Sequence, residues 1–279
     1  MAKLPRVAEA ESSFGAWEPL TPRGVAAFAH ATSGRLFLVQ FLVALVAAAT
    51  VVWFLRDAWF PTVRQAITRL PDEGEIRAGK LDWHGDSPRL LAEGSFLAFS
   101  VDLGHSGEIR SPAHVQIEFG KDAFFVHSLA GYLEVRYPAS GRVAFNREEL
   151  APWWGAWQPP LLGLAALGVV AGLMITWFVL ATLYALPVWM LVFYANRDLK
   201  LRECWRLAGA ALMPGALLMA TGILCYDFGV VDLVGLGFIL AGHFVLGWIY
   251  LFIGPLFLPR SVAAKAVGEN PFRGPGAAS

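Results

Sequence analysis

Apolar residues gather into four long runs, Leu36–Phe60, Pro160–Ala195, Leu207–Tyr226 and Leu233–Leu258, with a more polar segment, 61–155, between the first and second. A helix needs about 20 apolar residues to cross a hydrocarbon core of about 30 Å. Each run meets that length, and four of them would leave a soluble chain too little polar surface to cover them. The pattern predicts an α+β membrane protein: four transmembrane helices with an extracytoplasmic antiparallel β-rich domain inserted between helices 1 and 2. The implied layout is a cytoplasmic tail (1–35), a first span (36–60), the β-rich domain (61–155), a three-helix transmembrane region (156–258) and a cytoplasmic tail (259–279).

The second run is too long for one perpendicular crossing, since Pro160–Ala195 would extend about 54 Å as straight helix. Pro187 removes a backbone donor and can kink or break it. The expectation is a span over about 160–182, extended to 195 by an amphipathic stretch through Tyr184, Trp189 and Tyr194; whether this is one kinked helix or a span plus an interfacial helix stays open. The remaining spans are 207–226 and 233–258, kinked by Pro214 and Pro255.

In the polar segment, Pro61–Leu70 reads as a short helix leaving the membrane, with Val63, Ile67 and Leu70 on one face, broken by Pro71-Asp72-Glu73-Gly74. The period then becomes two. Leu97, Phe99, Val101 and Leu103 alternate with Ala98, Ser100 and Asp102; Val115, Ile117 and Phe119 with His114, Gln116 and Glu118; Leu133, Val135 and Tyr137 with Tyr132, Glu134 and Arg136. Such alternation marks strands with one buried face, and an antiparallel meander of five or six short strands is expected.

Composition sharpens this reading. Hydrophobic residues make up 56% of the 279 residues and charged ones 16%, against nearer 45–50% and about 25% in soluble domains. Net charge is zero and no basic stripe is visible, which argues against a nucleic-acid partner. Loop charges set the topology: 196–206 holds Arg197, Lys200, Arg202 and Arg206, 227–232 holds Asp227 and Asp232 and no base, and the tail brings Arg260 and Lys265. The first loop and both termini are then inside, and 61–155 outside. Arg56, Arg64 and Arg69 on the outer flank of the first span run against this rule, but long domains translocate largely regardless of charge. The run through Val51, Val52, Trp53 and Phe54 exceeds a signal-peptide core, so an uncleaved signal anchor is expected. Trp53, Trp59 and Phe60, then Trp153, Trp154 and Trp157, then Tyr226 and Phe228, fall at the outer headgroup level that suits an apolar ring with a polar edge; packing beneath the domain also suits Trp153–Trp157. Cys204 and Cys225 stand about 30 Å apart along one helix and cannot pair; Cys204 should be labelled only from the cytoplasmic side.

No motif dictates a reaction. His84 and Asp86, with His105, His114 and His127, lack the local spacing of a zinc site, so neither metal nor cofactor is expected. Asp102 and Glu118 could pair for acid–base work, but each lies on the polar phase of its strand, where solvation is the ordinary reading. Gly104-His105-Ser106-Gly107 lacks the nucleophile-elbow pattern and reads as a turn. His243 is a candidate intramembrane polar site, or a neutral ring bonded to Thr176 or Thr221. Trp153, Trp154, Trp157, Asp227 and Asp232 form a candidate outer-interface cluster. Gly168-x-x-x-Gly172 and Ala211-x-x-x-Gly215 permit close helix approach, within the chain by default, otherwise in a homo-oligomer.

The order of parts resembles the bacterial membrane-protein family known as domain of unknown function 1189, in the wider Yip1-like group. The resemblance is carried by Leu70–Leu81, where a proline precedes an acidic patch and Gly-Lys-Leu, and by Arg197–Pro214, a basic loop leading into Trp205-Arg206-Leu207-Ala208. It implies architecture and a cell-membrane location, with no catalytic residues. The leading expectation is a non-enzymatic multi-pass protein of the bacterial inner membrane, in contact with the lipid bilayer, whose outer domain binds a protein partner or ligand. The alternatives are an accessory subunit of a transporter or small oligomeric channel, and a membrane enzyme at the outer interface.

Overall fold

The computed structural model describes residues 17–129 and 131–259. Four helical stretches in it are long and apolar enough to cross a membrane. By Cα packing the chain divides into two units, one of residues 1–49 with 167–279 and one of residues 50–166. The Arg260 and Lys265 of the topology argument lie outside the described residues.

The first unit is helical. Thr21 caps α1 (Pro22–Ala27) by accepting the Gly24 N–H at 3.0 Å, and a 3₁₀ turn, Phe28–His30, follows. Val25, Phe28 and Ala29 are fully buried, so this part of the expected tail is folded into the helical core. Helix α2 (Ser33–Phe54) places Leu36, Val39, Val43 and Ala44 in that core. There they join Trp177, Ala181, Val188 and Val192 of α4 (Arg147–Tyr194), and Leu207, Ala208 and Ala211 of α5 (Leu201–Ala211). The buried Gln40 amide donates to the Gly209 carbonyl at 3.0 Å, satisfying a polar group with no water to turn to.

A break at Leu212, just ahead of Pro214, separates α5 from α6 (Met213–Asp227). Helix α7 (Leu233–Ile253) then returns against α6 and ends in a 3₁₀ turn containing Pro255. A Cβ on Gly215 would lie 2.5 Å from the His243 carbonyl oxygen, so the Ala211/Gly215 pair brings helices together inside the chain. Gly168 and Gly172 face open space, so their pattern serves no packing within the chain. Of the four long apolar stretches, α5–α6 is the most enclosed, and α4 and α7 are the most exposed.

Helix α4 starts at Arg147, takes in Trp153–Trp157, and runs unbroken past Pro187 for 48 residues. Arg202 and Arg206, expected in a loop, lie inside α5.

The second unit begins with the last turns of α2, where a π turn, Leu55–Trp59, leads into α3 (Phe60–Thr68). Thr62, Ala66 and Ile67 form the buried face of α3, with Val63 only partly covered. Eight short strands follow in two sheets, more than the five or six expected. The smaller has the order β2 (Lys80–Trp83), β1 (Gly74–Arg77), β8 (Arg142–Ala144), all antiparallel. The larger runs β3 (Arg89–Glu93), β4 (Leu97–Val101), β5 (Val115–Phe119), β6 (Ala123–Ser128), β7 (Gly131–Arg136).

The expected single meander is not formed: the strands divide between two sheets, β8 returns to pair with β1, and β4 and β5 pair in parallel, Leu97 against Val115 through Val101 against Phe119. A parallel neighbour requires a crossover, and the segment 102–114 supplies it without a helix. The apolar phases of these strands behave as the alternation predicts. Leu97, Phe99 and Val101 join Leu91, Trp83, Phe145 and Leu70 in one core, with Ile117, Phe119 and Phe124 against it.

Candidate functional site

The polar phase of the large sheet holds the densest chemistry. Ser100, Asp102, Gln116 and Glu118 stand on it, and all four are buried. The expectation that Asp102 and Glu118 are solvated is therefore wrong, and the reason is the crossover. The segment 102–114 folds back over this face, and the strand side chains bind it. Gln116 donates to Ser100 Oγ and to the Ile109 carbonyl, both at 3.1 Å, and accepts the Ser111 N–H at 3.0 Å.

Asp102 accepts the Gly104 N–H at 3.2 Å, the Gly107 N–H at 3.1 Å and the Ser106 hydroxyl at 2.8 Å. The expected turn 104–107 is thus wound around one carboxylate. Burial, the largest single influence, pushes the Asp102 carboxyl up, but the bonds from Ser106, Gly107 and Gly104 together hold it below its ordinary value.

The turn aims His105 at Glu118. His105 has φ +50°, a region that costs a non-glycine residue energy. Its Nδ1 lies 2.5 Å from Glu118 Oε1, and its ring stacks on Phe125 at 4.3 Å between centroids. His127 Nε2 lies 3.5 Å from the other Glu118 oxygen without an aligned hydrogen bond. The Glu118 side chain is 4% exposed, and the two histidines are 50% and 38% exposed, so a buried carboxylate sits beneath two half-open imidazoles. Phe125, His105, His127 and Tyr132 form a row of near-parallel rings from β6 to β7.

A carboxylate that fixes one imidazole nitrogen orients the ring for proton exchange. The nearby hydroxyl, Ser106, donates to Asp102 and not to an imidazole, so no activated nucleophile is assembled here. Among the described residues no group of three or more histidine, cysteine or acidic side chains is placed to hold a metal ion. His84 lies 3.9 Å from Asp82, and His114 lines a groove of about 380 Å³ with Ser111, Gln116, His127 and Leu129.

Beside this face runs an open sheet edge. Among the described residues strand β7 pairs only with β6, and Tyr132 and Leu133 are 69% and 62% exposed. The Tyr137 N–H donates to the Asp122 carbonyl on the β6 side. Inward and outward backbone groups alternate along an antiparallel strand, so Leu133 and Val135 bond inward. Tyr132, Glu134 and Arg136 turn their N–H and C=O groups to the open side.

The other sequence candidates are more dispersed. Trp153, Trp154 and Trp157 belong to one unit and Asp227 and Asp232 to the other. The Trp153 and Trp157 rings lie 6.0 Å apart, and Trp154 packs on Phe60 at 4.9 Å with its indole N–H buried and unbonded. Asp232 is the N-cap of α7, accepting the Gly235 N–H at 2.7 Å. His243 Nδ1 meets the Leu240 carbonyl of its own helix, while the Thr221 hydroxyl bonds Leu217; the expected bond between His243 and Thr221 is not formed.

Sequence reasoning weighed Asp102 and Glu118 as a pair and the histidines apart from them as metal ligands, so it missed the approach of His105 and His127 to Glu118, and it did not single out the β7 edge. A clue lay in the length of 102–114, too long for a hairpin turn. Comparison of the chain with family models, with curated proteins and with solved structures finds no match.

Proposed function

We propose that the chain is a non-enzymatic multi-pass protein of the bacterial inner membrane whose β domain lies outside and captures an extended segment of a partner protein on β7, the helices serving as anchor. The observation that carries this reading is the open edge of β7. Among the described residues its outward backbone groups are unpaired, and Tyr132 and Leu133 on it and Leu129 in the turn before it stand exposed. Soluble proteins blunt such edges, and strand addition is a recurring mode of peptide recognition. The bacterial membrane setting is supported by the four apolar spans and by the resemblance at Leu70–Leu81 and Arg197–Pro214.

The orientation is supported by charge within the helical unit. Arg206 donates to the Ala29 carbonyl at 2.6 Å, Arg197 to Leu256 at 2.9 Å, and Tyr250 to Leu20 at 2.5 Å. These bonds gather the start of α2, the end of α4, the start of α5 and the end of α7 at one end, with Arg23, Arg35, Arg197, Lys200, Arg202 and Arg206. The opposite loop carries Asp227 and Asp232. By the positive-inside rule the basic end is cytoplasmic.

The alternation of backbone groups supplies the test. Proline at Glu134 removes an N–H that the free domain does not use, whereas proline at Leu133 removes one bonded to β6. A photo-crosslinking residue at Tyr132 in the full chain, in cells, should give one discrete adduct. Glu134→Pro should abolish that adduct while leaving the melting temperature nearly unchanged, and Leu133→Pro should lower the melting temperature as well. No discrete adduct, or one indifferent to Glu134→Pro in a folded protein, removes the reading.

A further inference from the structure

We infer that the junction between the first span and the β domain binds the phosphate headgroup of a membrane phospholipid, on Arg56 and Arg64 beside the Trp153–Trp157 indoles. The inference starts from charges that the positive-inside rule leaves unexplained. From Thr50 to Leu70 the chain carries Arg56, Arg64 and Arg69 against one acid, Asp57.

The structure accounts for Arg69, whose guanidinium donates to the Leu91 carbonyl at 3.1 Å. It leaves the other two charges unbalanced. Arg64 is exposed and, among the described residues, bonds only the neutral Gln158 Oε1, at 3.3 Å. Arg56 is exposed, with neither ion pair nor hydrogen bond among the described residues. A guanidinium is a planar fork of donors that matches phosphate oxygens.

The backbone is shaped at the same point. Residues Leu55–Trp59 form a π turn, closed by the Phe60 N–H to the Leu55 carbonyl. Such turns occur mostly as single insertions, frequently at functional sites. Contacts from this stretch reach two adjacent turns of α4: Phe60 to Trp154 at 4.9 Å, and Arg64 to Gln158. Phe60 and Arg64 therefore stand beside the turns of α4 that carry Trp153, Trp154, Trp157 and Gln158, and Arg56 lies four residues before Phe60 on the same helical stretch.

What favours a lipid over a free anion is the company these charges keep. They directly follow the apolar run of α2. Trp53, Trp153 and Trp157 are 52%, 50% and 45% exposed, an apolar cost that headgroup-level indoles do not bear. The Trp154 indole N–H is buried without an acceptor, an unmet donor of the kind a bound group explains. A soluble phosphate would use the arginines and leave the indoles wet; a phospholipid uses both.

The test is native mass spectrometry of the full chain released from nanodiscs of equal phosphatidylglycerol and phosphatidylcholine. The wild-type chain should retain phosphatidylglycerol in preference. Arg56→Gln/Arg64→Gln should lose about tenfold of that retention, the scale of one charge-assisted hydrogen bond. Arg56→Lys/Arg64→Lys, which keeps charge without the fork, should fall between, and Arg136→Gln on the β7 edge should retain lipid as the wild type does. Retention in bilayer proportion, or a glutamine variant that retains as much as the wild type, overturns the inference. So does binding of inorganic phosphate by detergent-purified protein that carries no lipid. None of these readouts depends on the β7 edge.

Discussion

Asp102 is the residue around which the crossover turns, and its charge state sets a pH limit. Its folded carboxyl sits below the ordinary 3.8, so the unfolded chain binds the proton more readily. The stabilisation is then complete above about pH 4 and is lost as pH falls through the lower folded value. Hydrogen exchange should show the Gly104 and Gly107 amides protected at neutral pH and released on acidification below about pH 4. Asp102→Asn should weaken that protection at neutral pH and remove its acid dependence; protection indifferent to both would show that the loop is held by its other anchors, Gln116 and the His105–Glu118 contact among them. Alternation places Asp102 and Glu118 on the polar phase of their strands, opposite Phe99 and Ile117, and they stand there. It could not tell what covers that face, because a two-residue period reports direction and not burial. Cys204 teaches the same lesson: it lies at the expected end of its span yet is fully buried, and so makes a poor label.

At the scale of elements, long apolar runs were legible and pairings were not. Apolar helices stand over all four runs, but those over the second and third start earlier than expected, because amphipathic turns such as Arg147–Trp157 and Leu201–Arg206 extend helices beyond the apolar stretch. The parallel register of β4 and β5 was not legible, since parallel and antiparallel neighbours have the same alternation. The contact between α6 and α7 offers a clean trial. Gly215→Ala would push a methyl against the His243 carbonyl, where backbone and not a flexible side chain must give way. We expect a loss of about 1–3 kcal/mol, read as a lower melting temperature in detergent. Gly168→Ala, which meets nothing within 4 Å in the chain, should leave that temperature unchanged.

At the scale of the whole molecule, the two ends of the helical unit differ in charge, and thiol labelling can read that difference. Asp198 is exposed in the loop between α4 and α5, and Val230 is 75% exposed in the loop between α6 and α7. With the native thiols replaced by serine, Asp198→Cys should be labelled only from the cytoplasm and Val230→Cys only from outside; labelling of both from one side would overturn the orientation. The β domain adds a constraint on how the protein is made. Its first strand, β1, is paired by its last, β8, and the closure continues as Phe145 N–H to Gly74 at 3.0 Å and Arg147 N–H to Pro71 at 3.0 Å. The domain cannot finish its smaller sheet until Arg142–Ala144 has been synthesised and delivered beside a strand that emerged some 70 residues earlier. Those closing residues immediately precede α4. On the orientation proposed above, export of the domain and insertion of α4 are consecutive events, and a pause in translation just before Arg142 would strand β1 with one edge bare on the far side of the membrane.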